Sequence, residues 1–165
     1  MTVLITDGMG GAKNVAAFLD MLAVSEGTDI PRQPTKCDGY DVLVGGKLFD
    51  DFSHHPNILV PLPRLGIKST AAGRYQFIKR TWEDVQRRLK LPDFSPQSQD
   101  RAAIQRIRDR GALELVQDGR FYEAVSACRL EWASLPGAGY GQHEHKIETL
   151  RDAYLKAGGK LGVRQ

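Results

Sequence analysis

The hydrophobic period of this chain changes twice, and the order of the changes limits the folds open to it. Residues 12–26 carry apolar side chains at helical spacing, and Gly27 ends that pattern. Residues 39–49 instead alternate apolar and polar side chains around a two-glycine turn, which is typical of a β-hairpin. After Ser69 the helical period returns. We therefore expect an α+β fold of two lobes, one mostly helical and one built on a small antiparallel sheet, with a cleft between them.

Four helices are expected after Ser69. Thr81 and Asp84 are spaced like a capping pair for the first, and Ser95 with Pro96 supplies an N-cap and a first-turn proline for the second. The last two helices are predicted from two apolar stripes, namely Phe121, Val125, Cys128 and Trp132, then Ile147, Leu150, Tyr154 and Ala157.

The length of 165 residues suits one domain, which we place at residues 1–165, with residues 1–13 as an extension whose order the sequence leaves open. Cys37 and Cys128 form no CxxC pair and are interpreted as thiols. No export signal is recognised and no apolar run approaches the roughly 20 residues that span a bilayer, so we expect folding in a cytoplasm. The net charge of +3 is too small to indicate a nucleic-acid binder.

Glu26 is the first candidate for chemistry. On a helical wheel it lies about 20° from Val15, inside the apolar stripe of the first helix. Partial desolvation and the negative end of the helix dipole both raise the pKa of such a carboxyl group. An acid that stays protonated near neutral pH can protonate a poor leaving group. The alternative is an acid at a frayed helix end that turns to water.

Several blocks of the chain together resemble the endolysin family of bacteriophage lambda: residues 25–29, 39–49, 69–76 and 133–142. The blocks occur in the same order, and the resemblance extends over about residues 18–159. It implies a lysozyme-like two-lobed fold and a lytic transglycosylase, which cleaves the β-1,4 bond between N-acetylmuramic acid and N-acetylglucosamine without using water.

The resemblance also implies that Glu26 is the catalytic residue. It would first protonate the glycosidic oxygen and then take a proton from the C6 hydroxyl of muramic acid, which closes a 1,6-anhydro ring. Because the sugar supplies its own nucleophile, a second carboxylate is not required. Five aspartates lie in predicted turns, where we expect them to bond the local backbone: Asp29, Asp38, Asp41, Asp50 and Asp51. If one of them faces Glu26 across the cleft, hydrolysis becomes the better mechanism.

A polar cluster lies where the predicted sheet meets the following helix, and its side chains can bond the N-acetyl and hydroxyl groups of a glycan. The resemblance implies that residues 73–76 follow the cleft beside the acid. The alternative to substrate binding is that these side chains cap a helix or pack locally. For Arg74 we weigh the two interpretations equally. The candidate substrate-binding residues of this cluster are Ser69, Thr70, Arg74, Tyr75 and Gln76.

Two segments resemble the lips over the substrate in that family. The upper lip is residues 58–68, part of a proline-rich stretch, residues 54–68, that we predict to be an irregular loop. The lower lip is the glycine-rich loop of residues 136–141, which surrounds Tyr140, a sixth candidate for substrate binding. The alternative for Tyr140 is an aromatic plug that holds its loop to the body.

The remaining unusual side chains are given structural interpretations. Trp82 and Trp132 lie on apolar stripes and are predicted to be core residues. No metal-ligand pattern is completed by the histidine pairs His54 with His55 and His143 with His145, so we predict no metal and no cofactor. We place His143 on the last helix as a structural residue. The basic residues within 87–110 are interpreted as a solvated surface, with weak attraction to an anionic cell wall as a hypothesis.

The sequence therefore predicts a phage enzyme whose partner is the glycan strand of peptidoglycan. We expect a monomer that binds no nucleic acid and associates with no membrane stably. The enzyme is expected to stay in the host cytoplasm until a separate pore-forming protein gives it access to the cell wall in the periplasm. A hydrolytic lysozyme acting on the same bond, and a non-catalytic peptidoglycan-binding module, are the alternatives.

Overall fold

The computed structural model describes residues 1–2 and 9–162 of the chain. It confirms the predicted α+β fold. A 3-10 turn, Pro63–Leu65, joins the two strands. The elements in chain order are α1 (Ala12–Ser25), β1 (Val60–Leu62), β2 (Ile67–Ser69), α2 (Lys79–Leu89), α3 (Pro96–Asp109), α4 (Leu113–Gln117), α5 (Phe121–Cys128) and α6 (Ile147–Lys156).

Residues 3–8 of the predicted extension, residues 1–13, lie outside the described residues. Ala12 and Lys13 already belong to α1. Within the described part of the chain, no helix is both long and apolar enough to cross a membrane.

Helix α1 is the centre of the helical lobe and packs against α3, α4 and α6. Its predicted stripe, Val15, Phe18, Leu19 and Leu22, is completely buried. Burial of each of these large side chains contributes roughly 1.5–3 kcal/mol. Neighbours outside the stripe, such as Met21, are buried as well, so α1 is enclosed on more than one side. A helix held in this way is a rigid support for whatever lies at its end.

The end of α1 sets the place of Glu26. Glu26 is the C-cap residue, and its backbone N–H donates to Leu22 O. Gly27 follows with φ 72°, in the left-handed region where glycine carries no steric penalty, and turns the chain away from the helix axis. The carboxyl group is thereby held at the rim of the helical core.

The sheet lies in a different place from the one predicted. Residues 39–49 form turns with two isolated bridges instead of a full hairpin, since Val42 pairs with Leu48 and Leu43 pairs with Ala72. The paired strands are β1 and β2, inside the stretch that was predicted to be irregular, with Pro61 opposite Lys68. Proline is tolerated here because each strand of a two-stranded sheet has one side without a partner strand.

The helix predictions hold except at two starts, one end and one omission. Helix α5 ends at Cys128, so Trp132 of its predicted stripe lies beyond the helix. Ser95 caps α3 as predicted, since its Oγ accepts a hydrogen bond from Ser98 N at 3.3 Å. The capping role given to Thr81 is wrong, because α2 begins at Lys79, whose N–H donates to Thr70 Oγ1 at 2.9 Å. Helix α6 begins only at Ile147, so the placement of His143 on it is also wrong. Helix α4 was not predicted, and its five residues are too few to show a period.

The predictions for the tryptophans and cysteines are confirmed. Trp82 and Trp132 are both buried. Cys37 and Cys128 are free thiols, and burial raises the pKa of Cys128 to about 12, so this thiol stays protonated in the core.

Candidate active site

A groove passes the end of α1 and widens on one side of Glu26. Its narrower chamber has a volume of about 350 Å³ and its wider chamber about 790 Å³. The two chambers are continuous, because five residues line both of them: Glu26, Val44, Leu62, Gln76 and Gln142.

Glu26 is partly buried where the chambers meet. Desolvation raises the pKa of its carboxyl group to about 7, as the helical wheel predicted. Ser134 Oγ donates a hydrogen bond to Glu26 Oε1 at 3.0 Å, which favours the charged form and limits the rise. The group is therefore divided between acid and carboxylate near neutral pH, which suits a residue that must first give and then take a proton.

Ser134 is itself held in place by groups at the end of α1 and by the segment that precedes α6. Its Oγ lies 2.7 Å from Ser25 Oγ, and its carbonyl accepts a hydrogen bond from His145 N at 2.9 Å. The His145 ring closes the cluster, since Nε2 lies 2.9 Å from Ser25 O and must carry the proton to bond a carbonyl. The donor to Glu26 is thus fixed on two sides.

Gln76 lies on the floor of the groove beside the acid. Its backbone is in the left-handed region, at φ 53°. Its Nε2 donates to Val42 O at 3.1 Å and to Gly73 O at 2.9 Å, which fixes the orientation of the amide. Both N–H groups are engaged, so Oε1 is the atom that the side chain offers as an acceptor to a ligand.

Tyr75 also lines the narrower chamber, but its side chain is fully buried. Its hydroxyl donates to Asp100 Oδ1 at 2.5 Å, and its carbonyl accepts from Trp132 Nε1 at 3.0 Å. The predicted hydroxyl contact to a glycan is therefore not available, and Tyr75 forms part of the floor instead.

The floor comes close to helix α3 at Gly73. Gly73 has φ 83°, and a Cβ at this position would collide with Gln99 and Phe94. Gln99 in turn accepts a hydrogen bond from Arg74 N at 2.9 Å. Only glycine therefore permits the backbone at position 73 to come this close to Gln99 and Phe94.

Arg74 is corrected from a substrate contact to a structural residue. Its side chain is 0% exposed and is not among the residues that line the groove. Nη2 bonds Asp20 Oδ1 at 2.7 Å and Nη1 bonds Asp29 Oδ2 at 2.7 Å. The guanidinium also lies 5.2 Å from the ring centre of Tyr40. A cation paired with both aspartates ties α1 to the following loop.

Of the two remaining residues in the polar cluster, one reaches the groove. Ser69 lines the narrower chamber, and its Oγ accepts a hydrogen bond from Ala71 N at 3.1 Å. Thr70 lies outside both chambers, where its hydroxyl binds the first residue of α2, so the predicted contact is corrected to a helix-capping role.

The structure shows Tyr140 anchoring its loop, and the contact of its ring with a substrate stays a prediction. Tyr140 lines the narrower chamber and is 54% exposed, yet its hydroxyl donates to Leu130 O at 2.8 Å and holds the lower lip to the body. A second clasp is Glu144, whose two carboxylate oxygens accept from Gly137 N at 2.8 Å and Gly139 N at 3.0 Å.

None of the five aspartates predicted to bond local backbone lines either chamber. Asp41 accepts from Lys36 N, and Asp51 accepts from Ser53 N, as turn aspartates do. The second carboxylate on the groove is Glu131, which sequence reasoning missed. Its partners are Arg106 and Arg110, spaced four apart at the end of α3, and that spacing was the available signal of a shared face.

The histidines serve separate structural contacts. Buried His55 places Nε2 2.7 Å from Phe77 O and accepts from Asn57 N through Nδ1. His143 lines the wider chamber, and its ring centre lies 5.0 Å from that of His145. In residues 1–2 and 9–162, no group of three potential ligands that could hold a metal ion occurs.

Both the sequence and the fold of this chain are similar to those of known proteins. The family described as Endolysin matches residues 16–161. The endolysin of Escherichia phage lambda is 56% identical over 146 residues, covering 88% of this chain and 91% of that protein. The endolysin of Escherichia phage P2 is 53% identical over 157 residues, covering 89% and 94%. The solved structure of bacteriophage lambda lysozyme complexed with a chitohexasaccharide matches with a TM-score of 0.87 and 52% identity, over 90% of this chain and 96% of that one.

Proposed function

The chain belongs to the endolysin family, and on that basis we propose that it is a phage lysis enzyme that cleaves peptidoglycan as a lytic transglycosylase. The bond broken is the β-1,4 link from N-acetylmuramic acid to N-acetylglucosamine. One observation carries the proposal: of the described residues that line the groove, Glu26 is the carboxylic acid without a cationic partner, and its pKa is raised to about 7.

In the first step protonated Glu26 donates its proton to the bridging oxygen. The bond between C1 of muramic acid and that oxygen breaks, and N-acetylglucosamine leaves with a free 4-hydroxyl group. Positive charge develops at C1 as the bond lengthens. General acid catalysis of this kind contributes about 10²- to 10⁴-fold to a rate.

In the second step Glu26 is a carboxylate and acts as the base. It takes the proton from the C6 hydroxyl of the same muramic acid while O6 bonds to C1. The product is a 1,6-anhydro end, and Glu26 is again protonated. Ser134 supports this step, because its hydrogen bond at 3.0 Å stabilises the charged form.

The surroundings of Glu26 favour this route over hydrolysis. Inverting and retaining glycosidases need a second carboxylate to activate water or to attack the sugar. Glu131, the other acid on the groove among the described residues, is bonded by Arg106 and Arg110 and is only 7% exposed. A carboxylate neutralised by two cations is a poor base and a poor nucleophile.

The groove offers contacts that suit a neutral sugar. Gln76 Oε1 can accept from a hydroxyl or an acetamido N–H beside Glu26, and Ser69 lies further along the narrower chamber. Tyr140 offers an exposed ring to the apolar face of a sugar. The chitohexasaccharide bound to the lambda relative supports a glycan as the ligand here.

Product analysis tests the proposed reaction. Mass spectrometry of digested peptidoglycan should find muramic acid ends that lack one water, in the 1,6-anhydro form. Glu26→Gln protein should still bind the strands and release no such ends. Reducing muramic ends from the wild-type protein would establish a hydrolase and refute this mechanism.

We also propose how the protein works during infection. The chain is proposed to act as a monomer and a single catalytic domain, to remain in the host cytoplasm, and to reach the wall through a pore made by another protein. Induced cells should lyse when a membrane-permeabilising protein is co-expressed and grow on when it is absent. Equal lysis in both cultures would contradict the need for a pore.

A further inference from the structure

Three of the charged side chains that line the narrower chamber have no part in the cleavage reaction: Arg106, Arg110 and Glu131. Four charged residues line this chamber, Glu26, Arg106, Arg110 and Glu131, and its other lining residues are uncharged. While Glu26 is protonated, two cations and one anion remain. The chamber wall then carries one surplus positive charge.

Arg106 is fully engaged by neighbouring acids. Its Nε bonds Glu131 Oε1 at 2.6 Å, and its Nη2 bonds Glu131 Oε2 at 2.9 Å. Its third nitrogen, Nη1, bonds Asp109 at 3.3 Å. This bidentate ion pair with Arg106 already neutralises the charge of Glu131. Arg106 therefore has a structural role.

Arg110 supplies the surplus charge. Its Nε and Nη2 both lie 2.9 Å from the same Glu131 oxygen, Oε2, which Arg106 also bonds. The described residues provide no acceptor for Arg110 Nη1. The side chain is 33% exposed, and it lines the chamber. An arginine with a remaining donor on a ligand groove can bind an acceptor on the ligand.

The surroundings strengthen the attraction of this cation for an anion. Ile67, Ile78, Leu130 and Tyr140 also line the chamber and are exposed, so an apolar rim surrounds it. A bound glycan would displace water from this rim. Opposite charges attract more strongly where apolar groups lower the local dielectric.

We propose that Arg110 is the docking cation for a carboxylate carried by muramic acid, so that this end of the groove recognises the acidic substituents of the glycan. This inference rests on the proposed function, because it takes peptidoglycan as the ligand. Two sources of a carboxylate have the required chemistry. One is the stem peptide, which is joined to the lactyl group of muramic acid by an amide bond, and the other is the lactyl carboxylate itself, which is free only where the peptide has been removed. A strand of N-acetylglucosamine alone has neither, and is therefore the neutral reference.

The test compares three ligands and four proteins. The ligands are peptide-bearing glycan strands, the same strands after an amidase has removed the peptides, and chitohexasaccharide. The proteins are the wild type, Arg110→Gln, Arg110→Lys and Arg108→Gln. Arg108 is the matched control, because it is exposed on the same helix turn and bonds Gln105 outside the groove.

Arg110→Gln is expected to lower kcat/KM on a carboxylate-bearing strand about fivefold to tenfold, mainly through KM. Its affinity for chitohexasaccharide should stay within about twofold of the wild-type value. Arg110→Lys should recover most of the loss, and Arg108→Gln should resemble the wild type. A loss confined to peptide-bearing strands assigns the contact to the peptide, whereas a loss on amidase-treated strands assigns it to the lactyl group.

Ionic strength gives a readout that a merely structural role would not change. KM for the charged strands should rise with salt in the wild-type protein and rise less in Arg110→Gln. An unchanged salt dependence, or an equal loss of chitohexasaccharide binding, would overturn the assignment. If Arg110→Gln does not fold, Arg110→Lys and the salt series of the wild type on charged and neutral ligands decide the question.

Failure of the proposed function would be seen separately. Strand binding can be measured in a Glu26→Gln background, where no cleavage is needed. Wild-type protein that produced reducing ends would refute transglycosylation, and the charge preference measured by binding would still stand.

Discussion

Ser134 Oγ donates a hydrogen bond of 3.0 Å to Oε1 of Glu26. Burial raises the pKa of Glu26, and this hydrogen bond partly lowers it again. The hydrogen bond stabilises the carboxylate more than the acid, so its removal should move the pKa of Glu26 above about 7. The alkaline limb of the pH profile of kcat/KM reports loss of the protonated acid. In Ser134→Ala this limb should shift to higher pH, and kcat should fall about tenfold because the carboxylate is no longer held for the second step.

The profile should be measured beside Ser126→Ala, which removes an exposed hydroxyl from α5 and leaves the groove untouched. An alkaline limb that stays in place in Ser134→Ala would show that this hydrogen bond does not set the protonation of Glu26.

The buried acid should make stability depend on pH. Glu26 has a pKa of about 7 in the folded chain against 4.5 in the unfolded one, so the folded chain binds the proton more tightly. The stabilisation is complete below pH 4.5 and is lost as the pH rises through about 7. Glu26→Gln stays neutral, so its free energy of unfolding should exceed the wild-type value by on the order of 2 kcal/mol at pH 8, with little difference at pH 4. Urea unfolding at both pH values measures this. A constant difference between the two proteins would contradict the assignment.

Glu144 should affect substrate binding more than chemistry. Its carboxylate accepts from Gly137 N and Gly139 N and so closes the lower lip, yet it lies outside both chambers. Glu144→Ala should raise KM several-fold with little change in kcat, because the lip must be ordered by the substrate itself. Glu148→Ala, which removes an exposed acid from the first turn of α6, is the matched control. A fall in kcat at constant KM would show that the clasp acts on the reaction instead.

Arg74 should matter for stability and not for glycan recognition. Replacement by methionine leaves Asp20 and Asp29 without their buried cation, which should cost about 3 kcal/mol of unfolding free energy. Chemical denaturation measures the loss. Chitohexasaccharide binding to the remaining folded protein should equal that of the wild type. Weaker binding at unchanged stability would restore Arg74 as a substrate contact.

The sequence predicts those parts of the molecule that follow from local spacing. The stripe of α1 and the position of Glu26 on its edge depend on the helical period alone, and both agree with the structure. Ser95 as the cap of α3 likewise follows from one residue and its neighbours. The helical period made Glu26 a candidate acid, whereas its assignment as the catalytic residue and the identity of the substrate came from the family resemblance.

The parts that could not be predicted depend on contacts between distant residues. Arg74 stands beside Tyr75 and Gln76 in the sequence, but its side chain is drawn to acids on α1 and in the following loop. Glu131 meets Arg106 across 25 positions of the chain. The alternation in residues 39–49 resembles a strand pattern, yet the chain there forms isolated bridges, and the two paired strands lie in the proline-rich segment instead. Such outcomes are decided by tertiary packing, which a window along the sequence does not contain.

Gly73 gives the groove a depth that substitution cannot easily alter. A single methyl group at this position would press on Gln99 and Phe94, and Gln99 also holds the backbone of Arg74. The base of the cleft is therefore as inflexible as the helix beneath it. Anyone redesigning this protein for a bulkier or differently decorated polysaccharide should expect tolerance in residues 58–68 and 136–141, and intolerance at Ser134 and in the backbone below the groove.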